Sequence, residues 1–199
     1  MTPSPGPRTR LSPEQRREQL LDLGVRLLAE RPLEEISIDL LAAEAGVSRG
    51  LLYHYFGDKS AFREAVVRRA ADDLVARTTP PDEGDSLTRL LHGLTSYVDY
   101  VDTSYEGYLS MVHGAAVDPV LREVYDSART ALTDLVFAED ETGLVPRTDE
   151  ARLLVRGWQA MAEEMVLAWK AGESGLSREQ LIALLAGSLP ALVTALPGG

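Results

Sequence analysis

The sequence predicts an all-α fold of about nine helices, arranged as a small three-helix head followed by a larger helical body. Three observations carry this. Apolar residues recur three and four apart along nearly all of the 199-residue chain. No segment alternates apolar and polar residues over a useful strand length. Helix-start signals also recur, among them two capping boxes, Ser12 with Gln15 and Ser177 with Gln180. A hydrophobic content of 45% with 26% charged residues suits a chain of this length burying a sizeable core.

Residues 1–11 are Pro-rich and basic and predict a disordered arm, with Arg8 and Arg10 as solvated charges or contacts to a polyanion. Ser12 then caps a helix with Pro13 at its first position, running to about residue 31 and burying Leu20, Leu21, Gly24, Leu27 and Leu28. Pro32 ends it. Ser37 caps a second helix whose Ile38, Leu41, Ala42 and Ala45 share one face. Gly46 stands where the chain must turn through a left-handed conformation, and Val47 fills the angle between helices. Ser48 caps a third helix with Leu52 and Phe56 inward. Its remaining residues, Arg49, Gly50, Leu51, Tyr53, His54 and Tyr55, cannot all turn inward, so an aromatic and basic face is left for a partner.

Two short helices around a tight turn, the second with such a face, predict a helix-turn-helix that reads double-stranded DNA in the major groove. Arg49 suits bidentate bonding to guanine, and Leu51 suits contact with a thymine methyl. Tyr53, His54 and Tyr55 offer donors to phosphates or base edges. Gly50 lets the backbone approach the duplex, at a cost of roughly 1 kcal/mol in helix propensity. Asp58 caps the next helix and brings Lys59 to the phosphates. The alternative is a three-helix packing element with surface aromatics, which would leave a helical small-molecule-binding or scaffold protein whose head reads no specific DNA.

The run AAEAGVSRGLLYHYFGDKSAF at residues 42–62, with LLDLGVRLLAE at 20–30 before it, closely resembles the N-terminal signature of the TetR-family transcriptional repressors. This resemblance covers about the first third of the chain. It implies a three-helix N-terminal DNA-binding domain with a helix-turn-helix, joined to a larger helical ligand-binding and dimerisation domain. It further implies operator contacts from Ser37, Ser48, Arg49, Leu51, Tyr53, His54, Tyr55 and Lys59, carried over position by position. Leu51 stands where threonine or another small residue is frequent in that family. The implied domain division is an arm at 1–11, the helix-turn-helix domain at 12–60, a connecting helix and linker at 61–85, and an effector-binding and dimerisation domain at 86–199.

Beyond Asp58 a helix to about residue 77 carries Phe62, Ala65, Val66 and Leu74, and TTPPDEGD at 78–85 marks a boundary. Residues 86–103 place Leu87, Leu90, Leu91, Leu94, Tyr97, Val98 and Val101 at helical spacing, and 105–116 do so with Tyr108, Leu109 and Val112. Pro119 opens a helix to about 138, and a polar loop precedes Thr148, the cap of a helix with Leu154, Val155, Trp158, Met161, Met165 and Trp169 inward. The final helix carries Leu181, Leu184, Leu185, Leu189, Leu192 and Val193, with Pro190 as an expected kink. Small residues on the last two helices, Gly157, Ala160, Ala183, Gly187, Ala191 and Ala195 among them, permit close approach across a two-fold axis. Together with the resemblance they predict a homodimer on paired operator half-sites.

The body's aromatic and methionine residues are read either as core or as the wall of a cavity. The resemblance implies a small-molecule effector that releases the repressor, and a largely apolar site would hold it. The candidates are Tyr97, Tyr108, Met111, His113, Trp158 and Met165, with the helix at 58–77 carrying the motion to the head. Release then follows from the effector's differential affinity for the two states.

The formal net charge of -11 is placed unevenly. Residues 1–78 carry equal numbers of basic and acidic side chains, so the acidity lies wholly in the body. Screening over roughly 8 Å then limits repulsion of DNA from the head. Without cysteine there is no disulfide or thiolate chemistry. His54, His92 and His113 form no metal-ligand spacing, phosphate loops and nucleophile motifs are absent, and the acidic run Glu139, Asp140 and Glu141 reads as solvated surface, so no enzyme, cofactor or metal is expected. With no apolar leader and no membrane-length span, a cytoplasmic protein is expected.

Overall fold

The computed structural model describes residues 11–138 and 145–196. The basic residues Arg8 and Arg10 and the acidic run from Glu139 lie outside the described residues. Among those described there are nine α-helices and no strand: α1 Pro13–Glu30, α2 Ile38–Ala45, α3 Arg49–Phe56, α4 Lys59–Thr78, α5 Ser86–Thr103, α6 Tyr105–Val117, α7 Pro119–Ala138, α8 Asp149–Lys170 and α9 Arg178–Val193. A short 3-10 turn at Leu33–Glu35, which the sequence reading did not contain, follows Pro32. No helix among the described residues is long and apolar enough to cross a membrane.

Side-chain caps set most helix starts. Ser12, Ser37, Ser48, Asp58, Asp85, Thr148 and Ser177 each accept from an amide of the first turn, and the boxes at Ser12 and Ser177 both close. Such caps contribute about 1 kcal/mol each by satisfying otherwise unpaired amides. Helix α9 continues through Pro190 to Val193.

Helix α4 belongs to both parts of the molecule. It packs on α1 and α3 at one end and on α5 and α7 along its length. Gly24 lets α1 and α4 meet closely, since a Cβ there would lie 2.6 Å from Val66. Helix α6 reaches the head as well: a Cβ on Gly107 would lie 2.7 Å from the Leu28 carbonyl of α1. The Ser110 hydroxyl of α6 accepts from the Leu33 amide at 3.1 Å. One continuous apolar core, from Leu20 through Phe62 and Val98 to Leu189, therefore joins head and body.

Several residues read as inward from their spacing lie at the surface instead. Leu87 and Leu91 of α5, Met161 of α8, and Leu184 and Leu192 of α9 are exposed. Each helix carries a wider apolar stripe than its neighbours within the chain cover.

Candidate nucleic-acid interface and body cavity

In the head, local chemistry sets the angle between α2 and α3. Gly46 takes φ 63° and ψ 35°, the left-handed conformation that glycine adopts without a Cβ penalty. The amides of Gly46 and Val47 bond back to Ala43 and Ala42, closing the end of α2. The Ser48 hydroxyl then accepts from the Leu51 amide at 3.3 Å and starts α3. Leu52 and Phe56 are buried, and the Phe56 ring meets Phe62 edge-on at 5.1 Å.

The outward face of α3 holds Arg49, Gly50, Tyr53 and His54, all exposed, flanked by half-buried Leu51 and Tyr55. Lys59, the first residue of α4, is exposed beside them. Among the described residues, no side-chain hydrogen bond engages Tyr53, His54 or Tyr55. Within this group the His54 and Tyr55 rings meet edge-on at 5.5 Å. A Cβ built on Gly50 meets nothing closer than the Ser48 hydroxyl at 3.9 Å, so packing within the chain does not demand glycine there. The cap hydroxyls of Ser37 and Ser48 accept from amides and keep their own protons to donate.

Arg49 is paired with Asp39, in the first turn of α2, and both side chains are mostly exposed. The sequence reading did not foresee this pair, since ten residues and a turn separate the two. Its worth lies within about 1 kcal/mol, so it holds the guanidinium in place without locking it there.

The body holds a partly open cavity of about 140 Å³ between α5, α6, α7, α8 and α9. Its wall is mostly aliphatic, with Leu90, Leu94, Leu132, Val136, Val145 and Leu189 among the residues lining it. One region is polar and tightly bonded. The Tyr97 and Tyr108 hydroxyls lie 2.8 Å apart. Tyr108 donates to Glu163 Oε2 at 2.8 Å, and Tyr125 donates to Glu163 Oε1 at 2.7 Å. Arg129 donates to the Tyr125 hydroxyl at 3.0 Å and to the Arg156 carbonyl at 3.0 Å. Burial pushes the Tyr97 and Tyr108 hydroxyls well above the ordinary phenol range, and raises Tyr125 to about 12. All three remain protonated at neutral pH.

Of the six cavity candidates, Tyr97, Tyr108 and Trp158 line this space. The other three do not. Met111 is buried on the side of α6 that faces α1 and α4, in a second cleft of about 130 Å³ with Leu28, Val67 and Tyr100. His113 is exposed, because five residues at 100° each turn it about 140° away from Tyr108. Met165 shares the face of Trp158 but sits two turns, about 10 Å, farther along α8, where it packs on the core. Missed from sequence were Glu163, Arg129 and Gln159, polar residues that helical spacing does not distinguish from their solvated neighbours.

Comparison with known proteins adds the following. Residues 20–66 match the family described as bacterial regulatory proteins, tetR family. A crystal structure of a tetR-family transcriptional regulator from Streptomyces coelicolor superposes with a TM-score of 0.77 at 32% identity, over 88% of this chain and 81% of that one. The chain is 27% identical over 182 residues to the HTH-type transcriptional activator FasR of Mycolicibacterium smegmatis, covering 87% of this chain and 80% of FasR. It is 25% identical over 178 residues to the HTH-type transcriptional regulator BetI of Brucella anthropi, covering 85% and 89%.

Proposed function

This chain belongs to the tetR family of bacterial regulatory proteins and is a DNA-binding transcriptional regulator, and from that premise we propose that it is a cytoplasmic homodimeric repressor, released from a palindromic operator by a small apolar effector. The observation that carries the reading is the outward face of α3. A helix whose buried side needs only Leu52 and Phe56 spends its other residues on groups suited to base edges and phosphates. In this reading Arg49 reads a guanine, Leu51 a thymine methyl, and Ser37, Ser48, Gly50, Tyr53, His54, Tyr55 and Lys59 fix the register on the duplex.

The division into a DNA-binding domain at 12–60, a connector at 61–85 and an effector and dimerisation domain at 86–199 follows the same reading. Support for the dimer comes from α8 and α9, where Leu153 is 73% and Leu184 50% exposed. They share their surface with Gly157 and Gly187, at which an added Cβ meets nothing within the chain. Pairing this face across a two-fold axis sets the two α3 helices for half-sites about one duplex turn apart. The effector acts from the cavity at Tyr97, Tyr108 and Trp158. Both α4, which spans the head and body, and α6, with Gly107 against Leu28 and Ser110 on Leu33, carry its effect to the head.

The test is selection of genomic fragments by the full chain, followed by titration of the recovered consensus. Arg49→Ala is expected to relax one base position at a cost of about 1–3 kcal/mol. Lys59→Ala is expected to weaken every sequence alike and to flatten the salt dependence. Equal affinity for consensus and scrambled duplexes, unchanged in both variants, refutes the reading.

A further inference from the structure

The polar end of the body cavity has a direction that follows from counting protons. A carboxylate carries none, so both Glu163 oxygens accept, and the hydroxyl protons of Tyr108 and Tyr125 are committed to them. Tyr108 has no second proton. The 2.8 Å contact between Tyr97 and Tyr108 is therefore made by the Tyr97 proton, donated to the Tyr108 oxygen. All three phenol protons point toward Glu163, and the two tyrosines in the wall are left with acceptor lone pairs only. Trp158 Nε1 donates to Ser188 at 2.8 Å, and Arg129 donates to Tyr125 and the Arg156 carbonyl. Gln159, bonded to Thr133 at 2.9 Å, carries an amide that serves either as donor or as acceptor and so sets no polarity. Arg89 lines the wall from α5. Thr78 and Ser86 also line it, and the remaining residues of the wall are apolar.

We infer that this cavity selects an apolar molecule whose polar end is a hydrogen-bond donor, a hydroxyl or a protonated amine, seated against the Tyr97 and Tyr108 oxygens beside Glu163. The inference rests on the effector reading above and gives it a chemical class. An acceptor-only end, such as an ether, forces Tyr97 to turn its proton away from Tyr108 and leaves a buried oxygen short of a partner.

Calorimetric titration of the full chain with three probes of similar size tests this: octan-1-ol, octylammonium and methyl heptyl ether. The alcohol and the ammonium are expected to bind about tenfold more tightly than the ether, the ratio one buried unsatisfied polar group produces. Between the two favoured probes, a tighter ammonium marks Glu163 charge as part of the recognition, and equal affinity marks the hydrogen bond alone. Tyr97→Phe is expected to shrink the alcohol's advantage over the ether, because only the Tyr108 oxygen is left to accept, while leaving ether affinity in place. Glu163→Gln serves as an independent variant. Its amide N–H reverses one bond of the relay, so the preference for donors should shrink or invert. Binding of the ether as tightly as the alcohol overturns the donor inference and leaves the cavity as an effector site. Absence of binding by all three probes, in protein that still selects its DNA consensus, overturns the inference and the effector-cavity reading together.

Discussion

The α3 face and the cavity wall both gather tyrosines, and they spend the hydroxyls in opposite ways. The Tyr53 and Tyr55 hydroxyls of α3 make no hydrogen bond among the described residues. Four of the body's five tyrosines, Tyr97, Tyr100, Tyr108 and Tyr125, are each bonded, the Tyr100 hydroxyl to the Ala70 carbonyl at 2.9 Å. The difference follows from solvent. At the surface, water satisfies a phenol until a phosphate or base replaces it, so nothing is lost by leaving the group uncommitted. In the core no water competes, and an unpaired hydroxyl costs about 1–3 kcal/mol, so each must find a partner as the chain folds. The head thus keeps its polar groups for a partner, whereas the body has already spent most of its own and offers only what is left over.

Substitutions that treat the two faces alike put this contrast at risk. Tyr108→Phe should cost the most, about 2–3 kcal/mol in chemical denaturation, because Glu163 loses one of its two phenol donors. A loss below about 0.5 kcal/mol would mean that the relay is not a structural unit.

The alkaline limb of the stability profile sharpens the contrast next. Burial raises Tyr100 and Tyr125 to about 12, from 10 in the unfolded chain. Above pH 10 the unfolded chain gives up these protons while the folded one keeps them, so unfolding releases protons and stability falls as pH rises from 10 to 12. Tyr100 alone accounts for about 2 kcal/mol of that decline. Tyr100→Phe should flatten it, as read by denaturant midpoints across the window, and an unchanged slope would contradict the assignment.

On the head, Gly50→Ala should raise stability by up to about 1 kcal/mol, since a Cβ fits in open space and alanine favours the helix. It should also weaken operator binding by crowding the duplex, measurable by fluorescence anisotropy. A variant that gains both stability and affinity would show that the backbone does not approach DNA at this point. The smallest expected change is in the fold of Tyr53→Phe. That residue is 49% exposed and its hydroxyl bonds to nothing among the described residues, so the variant's melting temperature should stay within the equivalent of about 0.5 kcal/mol. Only DNA affinity should fall.

Much of the head was legible locally. Ser37, Gly46, Ser48 and Asp58 act within a few residues of themselves, through caps and one left-handed turn, and each stands in the structure as its chemistry predicts. The Arg49 pair with Asp39 was not legible, because it closes across the turn between two helices. The 3-10 turn at Leu33–Glu35 was missed for a similar reason. It is held from a distance, by the Leu33 amide on Ser110 and by Arg63 on the Glu34 and Ile36 carbonyls.

The cavity shows where periodicity stops being informative. Glu163 and Glu164 are neighbours in sequence, yet Glu163 meets two tyrosines from other helices while Glu164 is exposed. Tyr108 and Met111 are three residues apart, both buried and both on the second cleft, but only Tyr108 also reaches the body cavity. The small residues of α8 and α9 were visible as a stripe. That Leu153 and Leu184 stand exposed beside them depended on where the neighbouring helices end.

From the sequence alone came the all-α class, the nine helices and their caps, and the two short helices whose second carries Arg49, Gly50, Tyr53 and His54 outward, because caps, turns and helical spacing act within a few residues. Tertiary structure alone decided which polar side chain the cavity receives, which way its protons run and which apolar stripe stays uncovered, because those depend on how helices far apart in the chain are rotated against one another.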